Sequence, residues 1–145
     1  MKNTLNVHPS AATQGSKLIL SGEDDIDDQE MLEEALIALD EKFVIVHIDN
    51  GKKLLEYLDS LPDEGLPCLV ILDYNMPGLN ASEILKWLSN EKRYMAIPKV
   101  VWSTSGSNAY KTHCIELGAS DYLVKPSDMK SLQEAVRYMT SFCNS

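Results

Sequence analysis

A handful of acidic, hydroxyl and basic side chains in this sequence could do chemistry if the fold gathered them. Glu23, Asp24 and Asp25 are consecutive, Asp73 precedes the loop-like run Tyr74-Asn75-Met76-Pro77-Gly78, Ser103-Thr104-Ser105 supplies hydroxyls, and Lys125 precedes Pro126. Carboxylates packed together repel one another and hold protons tightly unless a cation is present. Magnesium takes hard oxygen ligands and keeps several waters, so one or two carboxylates and a phosphate oxygen suffice to bind it. A nearby lysine then acts as a point charge for phosphate oxygens. Brought together, these residues describe a divalent-cation site with room for a phosphoryl group.

The elements that must position them follow from periodicity. Residues 17–21 form a short apolar run, after which Met31, Leu32, Ala35, Leu36 and Leu39 recur at helical spacing behind an acidic start that suits the helix dipole. Phe43–Ile48 is rich in β-branched residues and stops at the turn signal Asp49-Asn50-Gly51. Leu54, Leu55, Leu58 and Leu61 mark a second helix that ends at Pro62. Residues 67–72 are apolar after their proline, the pattern of a strand buried on both faces of a parallel sheet. Ile84, Leu85 and Leu88 mark a third helix with Ser82 as its cap, residues 99–102 a fourth strand, and Gly118 the left-handed end of a fourth helix. Asp121–Val124 is a fifth strand, and residues 125–127 open a last helix with Leu132, Ala135, Val136 and Met139 inward.

Five strand-then-helix repeats predict an α/β fold with a parallel sheet and helices on both faces. In such sheets ligands bind beyond the carboxyl ends of the strands, where strand order reverses. Every residue singled out above falls just after a predicted strand, so the site and the fold agree.

Composition narrows the rest. A chain of 145 residues is one domain, here with residues 1–16 as a flexible tail and 17–145 as the folded unit. Its net charge of −9 excludes nucleic-acid binding through phosphates and docking on an anionic membrane. No apolar run approaches a membrane span, the N-terminus lacks a signal-peptide core, and Cys68, Cys114 and Cys143 form neither a disulfide framework nor a metal pair. The cysteines read as buried filler, with Cys143 near an exposed end, and the expected location is cytoplasmic.

Taken in order, Glu23-Asp24, Asp73 within ILDYNMPG, Ser103 after KVVW, and Tyr122 to Pro126 resemble the receiver domain of two-component response regulators. The resemblance spans residue 17 to about residue 142 and implies a flavodoxin-like, doubly wound (βα)5 fold with strand order 2-1-3-4-5. It implies that Asp73 is the phosphoacceptor, taking a phosphoryl group from a phosphohistidine on a sensor histidine kinase or histidine phosphotransfer protein. Asp24 is then a direct Mg2+ ligand, Glu23 its acidic partner through water, and the Asn75 backbone carbonyl a further ligand. Ser103 and Lys125 engage the phosphoryl oxygens, Tyr122 is the aromatic switch, and the Lys125–Pro126 bond is cis. The resemblance further implies a phosphorylation-driven signalling module that promotes its own phosphorylation and dephosphorylation but is not an enzyme. With few residues after the last helix, its output is expected through an unidentified downstream protein at the strand 4–strand 5 face; a homodimer on phosphorylation stays open.

Some readings compete. Ser21-Gly22 stands where the family mostly carries apolar residues, which leaves open whether Glu23 or Asp25 partners Asp24. Asp25, Asp27 and Asp28 otherwise read as surface charges that compensate the helix dipole, and Trp102 as packing. A phosphatase of the haloacid dehalogenase type needs a second acid two residues after its aspartate, where this chain has Asn75. The alternative function is a phosphorylation-independent interaction module built on a degenerate receiver site; the complete set of Glu23, Asp24, Asp73, Ser103 and Lys125 speaks against it.

Overall fold

The computed structural model describes residues 17–39 and 42–144. The expected N-terminal tail, residues 1–16, lies outside the described residues. The elements run β1 (Lys17–Gly22), α1 (Ile26–Ile37), β2 (Phe43–Ile48), α2 (Gly51–Ser60), β3 (Leu69–Asp73), α3 (Ala81–Ser89), β4 (Lys99–Ser103), α4 (Asn108–Glu116), β5 (Asp121–Val124) and α5 (Met129–Thr140). Short 3-10 turns occupy Asp63–Gly65 and Ser141–Asn144. The five strands form one parallel sheet in the order β2-β1-β3-β4-β5, a flavodoxin-like doubly wound arrangement.

Alternation along the strands builds two cores. Leu20, Val70, Leu72 and Val101 face α2, α3 and α4 and pack with Leu54, Leu58, Ile84, Leu85 and Cys114. Ile19, Leu69, Ile71, Val100 and Trp102 face α1 and α5 and pack with Leu32, Ala35, Leu132 and Val136. β3 and β4 are buried at every position, which is why their sequences carry no polar face. Each fully buried aliphatic side chain contributes about 1.5–3 kcal/mol of transfer free energy, so central strands of this composition hold the sheet in one register.

The register sets the strand ends level. Gly22 pairs with Leu72, Asp73 with Trp102, and Ser103 with Val124, so Glu23, Asp73, Ser103 and Lys125 emerge at one edge of the sheet. Helix ends behave largely as their residues require. Gly118 follows α4 with φ +110°, where a Cβ would run into the Ser89 Oγ.

Four expectations need correction. The cap of α3 is Asn80, not Ser82: Asn80 accepts from the Glu83 amide while Glu83 returns a bond to the Asn80 amide. The last helix starts at Met129 behind Asp128, whose carboxylate takes the Ser131 amide, so residues 125–127 are loop. No peptide bond among the described residues is cis, so Lys125–Pro126 is trans. An X-Pro bond still prefers trans by about 0.5–1 kcal/mol, and the Lys125 amide is already anchored to Ser103 O at 2.7 Å. Finally, Cys68 and Cys143 are joined in a disulfide, with Cα atoms 5.0 Å apart across a sequence separation of 75, and only Cys114 is buried free thiol. The fold brings the turn after α5 beneath the amino end of β3, a proximity that cysteine spacing does not encode. With that pairing, the cysteine-based argument for a reducing compartment falls away. No helix of the described residues is long and apolar enough to cross a membrane.

Candidate functional site

Glu23 leaves β1 on the α1–α5 side of the sheet and is completely buried. Its amide donates to Ile48 O at 2.9 Å, and its carbonyl accepts from Gln29 Nε2 at 2.7 Å, which fix the backbone at the turn into α1. The carboxylate takes the Asp25 amide at 3.2 Å and Lys125 Nζ at 3.1 Å. Burial, with the Asp73 charge adding to it, pushes the Glu23 carboxyl up to about 7 despite the opposing pull of Lys125.

Asp73 ends β3 and is nearly buried, with Oδ1 accepting the Asn75 amide at 3.2 Å. Oxygen atoms of Glu23, Asp24 and Asp73 all lie within 4.8 Å of one another. Asp24 is the exposed member of this trio. Asp25 borders the same cleft as Asp24 and Asp73 but stands outside this trio: it is the cap of α1 and accepts the Asp28 amide at 3.0 Å. Of the two candidates, Glu23 is therefore the acid that stands with Asp24 and Asp73.

Lys125 closes the group from the end of β5. Its Nζ lies 2.8 Å from Asp28 Oδ2, 3.1 Å from Glu23 Oε1 and 3.4 Å from Asp73 Oδ2, and 5.5 Å from the centroid of the Trp102 ring. Burial disfavours the ammonium, but the hydrogen bond to Asp28 and the charges of Glu23 and Asp73 outweigh it and raise its pKa. Trp102, expected as packing, is buried and also forms the aromatic floor under this charge. Asp28, expected as a surface charge, is the nearest partner of Lys125. Its one sequence signal was its place four residues after Asp24, in the first turn of α1.

The hydroxyl side is equally ordered. Ser103 is buried at the end of β4, with its Oγ accepting the Ser105 amide at 3.1 Å. Asp24, Asp28, Asp73, Asn75, Thr104 and Lys125 line a polar cleft of roughly 370 Å³. Tyr122 is buried, and its hydroxyl donates to Ser105 O at 2.8 Å. The Tyr122 ring meets Tyr74 edge-on at 6.2 Å, and Tyr74 stacks on Tyr110 of α4 at 4.6 Å. An aromatic chain thus connects the residue after Asp73, the loop after Ser103 and the α4 surface.

The donor set suits a hard divalent cation: all oxygen, from three carboxylates within 4.8 Å of one another, one of them with its pKa raised by burial. With Lys125 opposite, the same cleft can hold a phosphoryl group against a carboxylate nucleophile.

Residues 19–137 match the response regulator receiver domain. The two-component response regulator ORR5 of Oryza sativa subsp. japonica is 35% identical over 85 residues, which are 59% of this chain and 61% of that protein. Among solved structures, the phosphorylated cyanobacterial phytochrome response regulator RcpA is similar with a TM-score of 0.79 at 26% identity, over 90% of this chain and 95% of that one. The Mn(2+)-bound form of response regulator Rcp1 is similar with a TM-score of 0.76 at 26% identity, over 87% of this chain and 93% of that one.

Proposed function

Because the chain belongs to the response regulator receiver domain family, we propose that Asp73 accepts a phosphoryl group from a phosphohistidine of a sensor kinase or phosphotransfer protein. The observation that carries this reading is the convergence of Asp73 with Glu23, Asp24 and Lys125 at the carboxyl edge of the sheet. An Asp73 carboxylate oxygen attacks phosphorus, the bond from phosphorus to the imidazole nitrogen breaks, and the electron pair leaves on the imidazole. Lys125 faces the oxygens that gain charge, and the Ser103 hydroxyl is placed to hydrogen-bond one of them. Asp73 can serve as nucleophile because the Asn75 amide holds its other oxygen in place.

Glu23, Asp24, Asp73 and the Asn75 carbonyl would hold a divalent cation, and we assign Mg2+. Bound there, it would neutralise negative charge on the transferred group. The Mn(2+)-bound relative supports a cation at this site. Asp73 turns over no separate substrate, so the domain works as a signalling element that speeds its own phosphorylation and dephosphorylation. A phosphohistidine donor, made with ATP, supports a cytoplasmic location for the chain.

An aspartyl phosphate adds about −1.5 to −2 charges and new acceptor oxygens, which draw on Ser103 and Lys125 and reorder the loops after β3 and β4. Tyr122, hydrogen-bonded to Ser105 O, would carry that change toward a partner protein. The face around β5 carries Val124, Ile115 and Tyr138 exposed, a surface suited to that partner.

Intact mass after incubation with acetyl phosphate, with and without Mg2+, tests the reading. One phosphoryl group gained by wild type in Mg2+ and none by Asp73→Asn is the expected result. No gain by wild type from acetyl phosphate or from a phosphorylated histidine donor would favour a phosphorylation-independent interaction module. A gain that survives in Asp73→Asn would remove Asp73 as acceptor.

A further inference from the structure

We propose that Asp28 is a positioning residue, a latch that holds Lys125 in the unphosphorylated chain and competes with the phosphoryl group for it. The proposal rests on the receiver reading of this site. An ammonium has three N–H bonds, and Lys125 Nζ has three carboxylate partners among the described residues: Asp28 at 2.8 Å, Glu23 at 3.1 Å and Asp73 at 3.4 Å. Hydrogen bonds run to Asp28 and Glu23, and the contact to Asp73 is an ion pair.

When Asp73 carries a phosphoryl group, the negative charge moves outward onto the phosphoryl oxygens. Asp73, the most distant of the three partners, carries that group itself, so a turn of Lys125 toward it stretches the hydrogen bonds to Glu23 and Asp28. Glu23 is completely buried, so water cannot replace its hydrogen bond from Lys125. Asp28 stands at the rim with 33% of its side chain exposed, so water can take over its hydrogen bonds. The contact that yields is therefore the one to Asp28. Trp102 beneath the ammonium and Glu23 beside it keep Lys125 in place during the exchange. Asp28 thus lowers the affinity of the site for a phosphoryl group by offering Lys125 a rival anion, without touching that group itself.

Beryllofluoride, a phosphoryl analogue that binds an aspartate carboxylate, allows the affinity to be read without turnover. Titrations in Mg2+ would compare wild type, Asp28→Asn, Asp28→Glu, Lys125→Gln and the Asp28→Asn/Lys125→Gln double variant. Asp28→Asn should bind about three- to fivefold more tightly, the size expected for release from a partly exposed ion pair. Asp28→Glu should fall back toward wild type, and Asp28→Asn should have no effect on top of Lys125→Gln. Unchanged or weaker binding by Asp28→Asn would overturn the proposal. So would equal tightening in the Lys125→Gln background, which would mean plain charge repulsion. Melting temperatures without Mg2+ or beryllofluoride add a second arm: additive losses for Asp28→Asn and Lys125→Gln would overturn the resting contact. Failure of wild type itself to bind beryllofluoride would instead overturn the receiver reading, and the competition for a phosphoryl group with it.

Discussion

Two lysines, Lys99 buried and Lys125 half-buried, lie at opposite edges of the sheet, and they differ in what they face. Lys99 opens β4 at the amino edge, 3% exposed, with Nζ donating to Tyr94 O at 2.9 Å and Met95 O at 3.3 Å. Lys125 follows β5 at the carboxyl edge and faces three carboxylates. Burial lowers the pKa of Lys99, because neutral carbonyls only partly replace water around a charge. The same burial acts on Lys125, yet surrounding anions raise its pKa. Both residues are satisfied, but only one sits in an unbalanced field: neutral carbonyls let Lys99 tie the loop before β4 to its strand, whereas surplus negative charge leaves the carboxyl edge ready for a cation. Burial of a lysine therefore says little about function until its partners are named.

The largest expected effect is at the carboxyl edge. Lys125→Gln should slow phosphorylation by acetyl phosphate roughly 10²-fold, as expected when a charged donor to the reacting oxygens is removed; a change below about threefold, well short of what such a donor supplies, would erase the contrast with Lys99. Next comes the amino edge, where the Cys68–Cys143 bond closes a long loop. Cys143→Ser should cost about 2–4 kcal/mol in denaturant titrations run without reductant. Reductant should produce the same loss in wild type and none in the variant. Because this bond lies away from the cleft, the phosphorylation rate should stay within about twofold.

Lys99→Met should cost about 1 kcal/mol by chemical denaturation, since Tyr94 O keeps the Ile97 amide at 3.2 Å while Met95 O loses its protein donor. Its phosphorylation rate should match wild type; a loss like that of Lys125→Gln would break the distinction between the edges. The smallest effect concerns His47 on β2. Burial holds its imidazole below the ordinary range, against Glu33, whose Oε2 lies 2.9 Å away and pulls the other way. The unfolded chain then binds this proton more readily than the folded one. Stability from this group is present in full above the ordinary histidine pKa of about 6.5 and is lost as pH falls below it. Between about pH 7.5 and about pH 5.5, wild type should lose more stability in denaturant titrations than His47→Gln.

Legibility followed the range of the interactions. The apolar run through Val70, Ile71 and Leu72 read as a doubly buried strand because each residue carries its own burial preference. Asp73, Ser103 and Lys125 read as site residues because a strand end is a local event, and a parallel sheet sets such ends side by side. Asp28 was misread because an acid in the first turn of a helix has an ordinary explanation in the dipole. Ser82 and residues 125–127 were misread at helix starts, where neighbouring residues compete to cap and geometry decides between them.

The order of strands and helices, the two-faced burial of the central sheet and the gathering of acids with a lysine at one edge were determined by the sequence itself. Those features depend on periods of two and 3.6 residues and on chain breaks, all set by near neighbours. Tertiary structure alone decided that Glu23 rather than Asp25 stands with Asp24, that Lys125 meets Asp28 from 97 residues away, and that Cys143 reaches Cys68 across 75. Such pairings depend on the direction in which each helix packs and on the height at which each strand ends, quantities no local pattern carries.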